Sequence, residues 1–121
     1  MKTEQEIFEL EKWIWLNVFG WIEWREEEFP YRAGYSQGDE YGVKCLECDM
    51  CHPVTDPADA FAVLQRCVER VTKDISINSD GKTFKVFSIM DWSGQTEAWW
   101  EEDESLPVAI CLYAKKLFTA K

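Results

Sequence analysis

The sequence predicts an α+β fold: a small antiparallel sheet of three to four strands with helices packed on it. Three observations carry this. Helical patterns stand before, between and after the strand-like segments. The pair Asp80-Gly81 supplies the positive φ that a tight hairpin needs between two strand-like runs. In the second of those runs Phe84, Val86 and Met90 fall on one face and Phe87 and Ile89 on the other, the mark of a strand covered from both sides.

The first helix begins at Thr3, where Thr3 and Glu6 spell a capping box. Ile7, Leu10, Ile14 and Val18 follow at helical spacing as the buried stripe, and Gly20 is the stop. Trp21–Trp24 reads as a short strand, followed by Arg25 and the acidic run Glu26, Glu27 and Glu28. Pro30, Gly34, Gly38 and Gly42 punctuate a loop that carries Tyr31, Tyr35 and Tyr41. Asp56 is the N-cap of a second helix, Pro57 suits its first position, and Asp59 adds first-turn negative charge. Ala60, Phe61, Leu64, Cys67, Val68 and Val71 are expected on its buried side, with Arg66, Glu69, Arg70 and Lys73 opposite.

The hairpin runs from Ile75–Ile77 through Asn78–Gly81 to Thr83–Met90. After a turn at Asp91–Gly94, Thr96–Trp100 adds another strand. Ser105 caps the last helix, with Pro107 in its first turn. Ala109, Ile110, Leu112, Tyr113 and Leu117 form its apolar side, and Lys115, Lys116 and Lys121 oppose its dipole.

All of this fits one domain over residues 1–121, with a cysteine-rich loop at 44–53. A chain of 121 residues that is 46% hydrophobic is long enough to bury a core. No stretch approaches the ~20 apolar residues of a membrane-spanning helix. The acidic start argues against a secretory signal, so a cytoplasmic setting with reduced thiols is expected. The 23 acids and 13 bases leave a net charge of −10. Phosphate backbones and anionic membranes repel such a chain, whereas a basic protein surface complements it.

Three short stretches resemble the phage ABA-sandwich domain family. Asn17–Trp21 is similar to its helix-Gly-Trp step, Pro53–Phe61 to its loop-to-helix passage, and Ser105–Cys111 to its closing Pro-x-Ala-Ile-Cys helix. The resemblance brackets nearly the whole chain and implies an α-β-α sandwich of phage origin, with no catalytic residues. The cysteine-rich stretch departs from the family pattern.

Within that stretch Cys45, Cys48 and Cys51 are each three residues apart, followed by His52. Thiolates so spaced can converge on one tetrahedral zinc ion, and His52 is the fourth ligand by type. Adjacent side chains diverge, however, and Pro53 restricts His52 further. Cys67, Asp49, Glu47 or water can take that place. Bound zinc would be structural, pinning a long loop to the second helix. Two other readings stay open: reduced thiols in a loop with His52 at the surface, and a redox pair Cys45-x-x-Cys48. Cys67 and Cys111 sit on apolar helical faces and are expected to be buried.

Trp99 and Trp100 abut a second acidic run, Glu101, Glu102, Asp103 and Glu104, as Trp21 and Trp24 adjoin the first. Neighbouring strand residues point to opposite faces, so Trp99 and Trp100 cannot share one side. Trp13 and Trp15 stand ~200° apart on their helix. Seven tryptophans in such a chain leave room for an exposed one, and a Trp ringed by carboxylates is a good partner-binding anchor. No phosphate loop, nucleophile elbow or deaminase-type His-x-Glu is present. The sequence therefore points to a non-enzymatic acidic phage protein. Its expected action is to bind and inhibit a host nucleic-acid-handling defence protein, such as a CRISPR effector, in the manner of an anti-CRISPR. A non-inhibitory phage accessory module is the alternative, and a small zinc enzyme the third reading.

Overall fold

The computed structural model describes residues 3–25, 33–36, 44–46, 50–70, 75–92 and 95–119, with backbone alone at 25, 33, 44–46, 70, 89–92 and 95–97. In chain order the elements are α1 (Glu4–Asn17), β1 (Ile22–Arg25), β2 (Ala33–Ser36), β3 (Lys44–Leu46), α2 (Pro57–Arg70), β4 (Ser76–Ser79), β5 (Phe84–Trp92), β6 (Gln95–Asp103) and α3 (Leu106–Thr119). The architecture is α+β. Its strands form two three-stranded antiparallel sheets, ordered β1-β2-β3 and β4-β5-β6.

The second sheet is the one the sequence announces. The first needs a correction, because β2 and β3 lie inside stretches read as loops. Ala33–Ser36 pairs with β1 on one side and with Lys44–Leu46 on the other. Strands of four and three residues hold too little alternation to be recognised by periodicity. What secures this sheet is Tyr35, which is fully buried and stands edge-on to Trp15 of α1, with ring centroids 5.1 Å apart.

Helix α1 has the expected capping box, with the Thr3 hydroxyl accepting from the Glu6 backbone N–H and the Glu6 carboxylate reaching back to the Thr3 N–H. Gly20 takes the positive φ (73°) that lets the chain leave the helix. The helix serves two clusters. Leu10, Ile14 and Val18 join the main core, while Trp15 packs with Tyr35 and Met50 in a smaller one. That division settles the two tryptophans of this helix: Trp13 leans on the main core and Trp15 fills the other cluster.

In α2 the buried stripe is Ala60, Val63 and Cys67, with Leu64 half-buried. Phe61 and Val68 were expected inside but are 49% and 46% exposed. Among the elements of the described residues this helix packs mainly on α3. A residue one position off that contact is rotated ~100° from it and reaches solvent. Asp56 caps the helix as expected, its Oδ1 accepting from the Ala58 N–H at 2.9 Å.

Helix α3 packs against β5 and β6 and also against α1 and α2. On the sheet side the Tyr113 hydroxyl hydrogen-bonds the Ser88 hydroxyl, both groups buried. Strand β6 runs past Trp100 through Asp103, in register with β5 so that Phe87 opposes Trp100 and Ser88 opposes Trp99. Paired residues share a face. Phe84, Val86, Ser88 and Trp99 therefore face α3, and Lys85, Phe87, Trp100 and Glu102 form the other face.

Replacing Ser88 by Ala strands a buried phenol and is expected to cost about 1–3 kcal/mol in urea denaturation. Adding Tyr113→Phe should return much of that loss, and a single-variant loss near zero would show that the pair contributes nothing. The β4–β5 turn supplies a pH test. Asp80 Oδ1 accepts from the Thr83 and Lys82 N–H groups, each at 2.8 Å, and these bonds hold its carboxyl below the usual range. A carboxylate depressed in the folded state stabilises above its unfolded pKa, and that contribution is lost as pH falls through the folded value. Wild-type protein should thus lose more stability than Asp80→Asn on acidification below about pH 4, the ordinary carboxylate range.

Candidate functional site

Two regions gather the chemically interesting side chains. The first is the segment Cys51–Pro53, which all three helices grip. Trp15 Nε1 of α1 donates to the Cys51 carbonyl at 2.9 Å. Asp59 Oδ2 of α2 accepts from the His52 N–H at 2.8 Å. The Cys111 thiol of α3 donates to the Pro53 carbonyl at 3.3 Å. The His52 carbonyl in turn accepts from the Thr55 and Asp56 N–H groups, at 3.1 and 2.7 Å. Asp59, read from the sequence as a first-turn charge, thus has a further role in fixing His52.

Within this node Cys51 and His52 diverge, as neighbours in a chain do. Cys51 is half-buried and packs on the Trp15–Tyr35–Met50 cluster. The His52 side chain is 54% exposed, with Nδ1 3.5 Å from Glu11 Oε2. Burial pushes the Cys51 thiol above its ordinary value, with help from the nearby Asp59 charge. Burial raises the Cys111 thiol further, and the Glu11 charge adds to it. Both thiols are therefore weak nucleophiles.

Of the four zinc ligands expected from the sequence, Cys51 and His52 are described in full. Cys45 is described as a β3 backbone position, the register partner of Tyr35. Cys48 lies outside the described residues. Among the described residues no group of three or more His, Cys, Asp or Glu side chains is arranged to hold a metal ion. The register nonetheless brings the Cys45 backbone beside Tyr35, in the cluster on which Cys51 packs.

Glu11 is the residue that sequence reasoning missed. It is 6% exposed, and its Oε1 is buried with no hydrogen-bond partner among the described residues. The signal was its place: Glu11 is four residues after Ile7 and three before Ile14, on the apolar side of the first helix. A carboxylate there has to be solvated, paired or metal-bound.

The second region is the outer face of β5–β6. Trp100 is 46% exposed there. A cleft of about 410 Å³ beside it is lined by Thr83, Trp100, Glu102, Asp103 and Glu104. Thr83 Oγ1 donates to Glu102 Oε1 at 2.8 Å and fixes that carboxylate. The Lys85 ammonium stands 4.7 Å from the Trp100 ring centroid, a cation–π contact. The other expected partner-binding residues are split. Trp99 packs on the core, Glu101 is half-buried on the α3 side of the sheet, and Glu26, Glu27 and Glu28 lie outside the described residues.

Comparison with protein-family models, with curated proteins and with solved structures finds no match to this chain. Among the described residues no helix is long and apolar enough to cross a membrane.

The thiols provide a direct check on the node. In metal-free folded protein, a brief iodoacetamide pulse followed by mass spectrometry should label Cys51 slowly. Cys67 and Cys111, which are fully buried, should stay unlabelled until denaturant is added. Rapid labelling of Cys111 would mean that α3 does not seal against Pro53.

Proposed function

We propose that this protein is an acidic, non-enzymatic binding module that covers the basic surface of a host nucleic-acid-handling protein and so inhibits it. Trp100 carries this reading: a large aromatic, half in solvent, beside a cleft edged by Glu102, Asp103 and Glu104. An aromatic anchor among carboxylates matches an arginine- or lysine-rich surface in both shape and charge. The Lys85 ammonium over the same ring illustrates the chemistry a partner cation would use. The net charge of −10 supports it over any direct grip on nucleic acid or an anionic membrane.

The resemblance to phage proteins makes a defence nuclease such as a CRISPR effector the favoured class of partner, met in the host cytoplasm. A structural zinc ion held by the cysteine-rich segment completes the reading. Its service would be to order that segment against the rest of the fold.

The test is capture of partners from host lysate on immobilised protein, followed by titration of the isolated pair. Raising salt from low to high ionic strength should weaken binding by about tenfold or more, as exposed charge pairs are screened. Trp100→Ala should weaken it about 30-fold, the size of a hot-spot loss near 2 kcal/mol. Glu102→Gln should lower both the affinity and its salt dependence. A partner whose binding ignores salt and both substitutions would eliminate this reading.

A further inference from the structure

We infer that the cross-strand pair Phe87 and Trp100 is the seat for an arginine side chain of the partner, and that Lys85 fills this seat until the partner displaces it. The inference rests on the cationic-partner reading above. It adds which partner side chain enters and which residue of this chain gives way.

The strand register builds the seat. Phe87 of β5 and Trp100 of β6 stand directly opposite each other on the face of the sheet turned away from α3, and side chains so placed are within reach of one another. Phe87 is half-buried and Trp100 is largely exposed, so Trp100 forms the open side of the pair. Lys85 precedes Phe87 by two residues on the same strand and shares its face. Its ammonium lies 4.7 Å from the Trp100 ring centroid and 5.7 Å from that of Phe87. One cation of this chain thus already uses both rings.

This contact is not the one that the register offers Lys85. Its opposite residue on β6 is Glu102, but Glu102 Oε1 accepts from Thr83 Oγ1 at 2.8 Å. Thr83 and Glu102 stand between two adjoining clefts and line both. The cleft of about 410 Å³ has Trp100 in its wall, and the other, of about 190 Å³, has Asn78, Ser79, Asp80 and Lys85. Lys85 therefore reaches from the smaller cleft to the rings. Once released from them, its flexible stem lets the ammonium turn back toward the Asp80 and Glu102 carboxylates of its own cleft.

Arginine follows from the chemistry of the seat. A guanidinium is planar, stacks on an aromatic face and gives up water more readily than an ammonium. Its fork can also donate to the Glu102 carboxylate, which borders the same cleft as Trp100. Lys85 brings only a point charge on a flexible stem. An exposed contact of that kind shifts an equilibrium about two- to fivefold, enough to cover the ring and weak enough to be exchanged.

The experiment is an NMR titration of isotope-labelled protein with the peptide Gly-Arg-Gly-Arg-Gly-Arg, beside counterparts in which lysine or citrulline replaces arginine. In the free protein the Trp100 ring current should hold the Lys85 ε-methylene protons upfield. Saturation with the arginine peptide should return them to the ordinary lysine position while the Trp100 indole N–H signal moves. Lys85→Thr should bind this peptide about two- to fivefold tighter than wild type. Lys82→Thr removes the same charge from the exposed turn without vacating a ring, and it should gain less. The lysine peptide should bind more weakly and the citrulline peptide least. Lys85 signals that stay upfield at saturation, a Lys85→Thr variant no tighter than Lys82→Thr, or a lysine peptide bound as well as the arginine one would each overturn this inference and leave the cationic-partner reading standing. A peptide that binds neither wild type nor Lys85→Thr also overturns it, and the salt titration of the captured partner then judges the wider reading on its own. Should Lys85→Thr fail to fold, the Lys85 signals of the wild-type protein decide.

Discussion

The burial of α3 around most of its circumference, with Lys115 and Lys116 left in solvent, is the constraint from which the rest of the molecule follows. Val108, Ala109, Ile110 and Cys111 are four consecutive buried residues. At 100° per residue they sweep most of the helix circumference. Such a helix survives in water only when other elements enclose it, and here β5 and β6 take one side while α1 and α2 take the others. Ala109 and Ala114, both fully buried, keep the surrounding elements close. Tyr113 and Cys111 are two residues apart, hence ~200° around the axis. One reaches Ser88 on the sheet and the other reaches Pro53. A single helix therefore fixes both the sheet that carries Trp100 and the node that carries His52.

Much of this was legible in the sequence because it rests on strong local signals. The capping box at Thr3, the positive-φ Gly20, the Asp56 cap and the Asp80-Gly81 turn each stand where residue chemistry puts them. Strand alternation alone separated the paired tryptophans, with Trp99 inward and Trp100 outward. Each of these depends on contacts within a few residues or on a period of two, so no knowledge of the tertiary arrangement was required.

What stayed hidden depends on tertiary partners. β2 and β3 are too short to show a period, and they exist because Tyr35 is buried against Trp15, twenty residues earlier in the chain. The exposed Phe61 and Val68 look like core residues by type; each lies one position beyond a buried residue, Ala60 or Cys67, and so turns away from the core. Glu11 was read past for the opposite reason. Its charge suggests solvent, whereas its position between Ile7 and Ile14 commits it to the interior. In the candidate site the divergence of Cys51 and His52 was legible from their adjacency, but the bonds that fix them were not. Side chains of two helices, Trp15 donating to the Cys51 carbonyl and Asp59 accepting from the His52 N–H, hold the two backbones.

The two candidate regions occupy different sides of the sheet–helix stack, and this makes their chemistries separable. Trp100 and Glu102 lie on the face of β5–β6 turned away from α3. Glu11 and His52 lie where α1 meets the segment before α2. Charge at the first is exposed, screened by salt and suited to association and release. At the second, Glu11 is buried and so less screened by salt, and it faces a half-exposed His52. An acidic protein can carry surplus carboxylates on an outer surface at little cost, but a carboxylate placed inside its core needs a reason. For this chain the outer carboxylates stand in solvent beside Trp100, whereas Glu11 is buried against His52, so the same excess of negative charge meets two different surroundings.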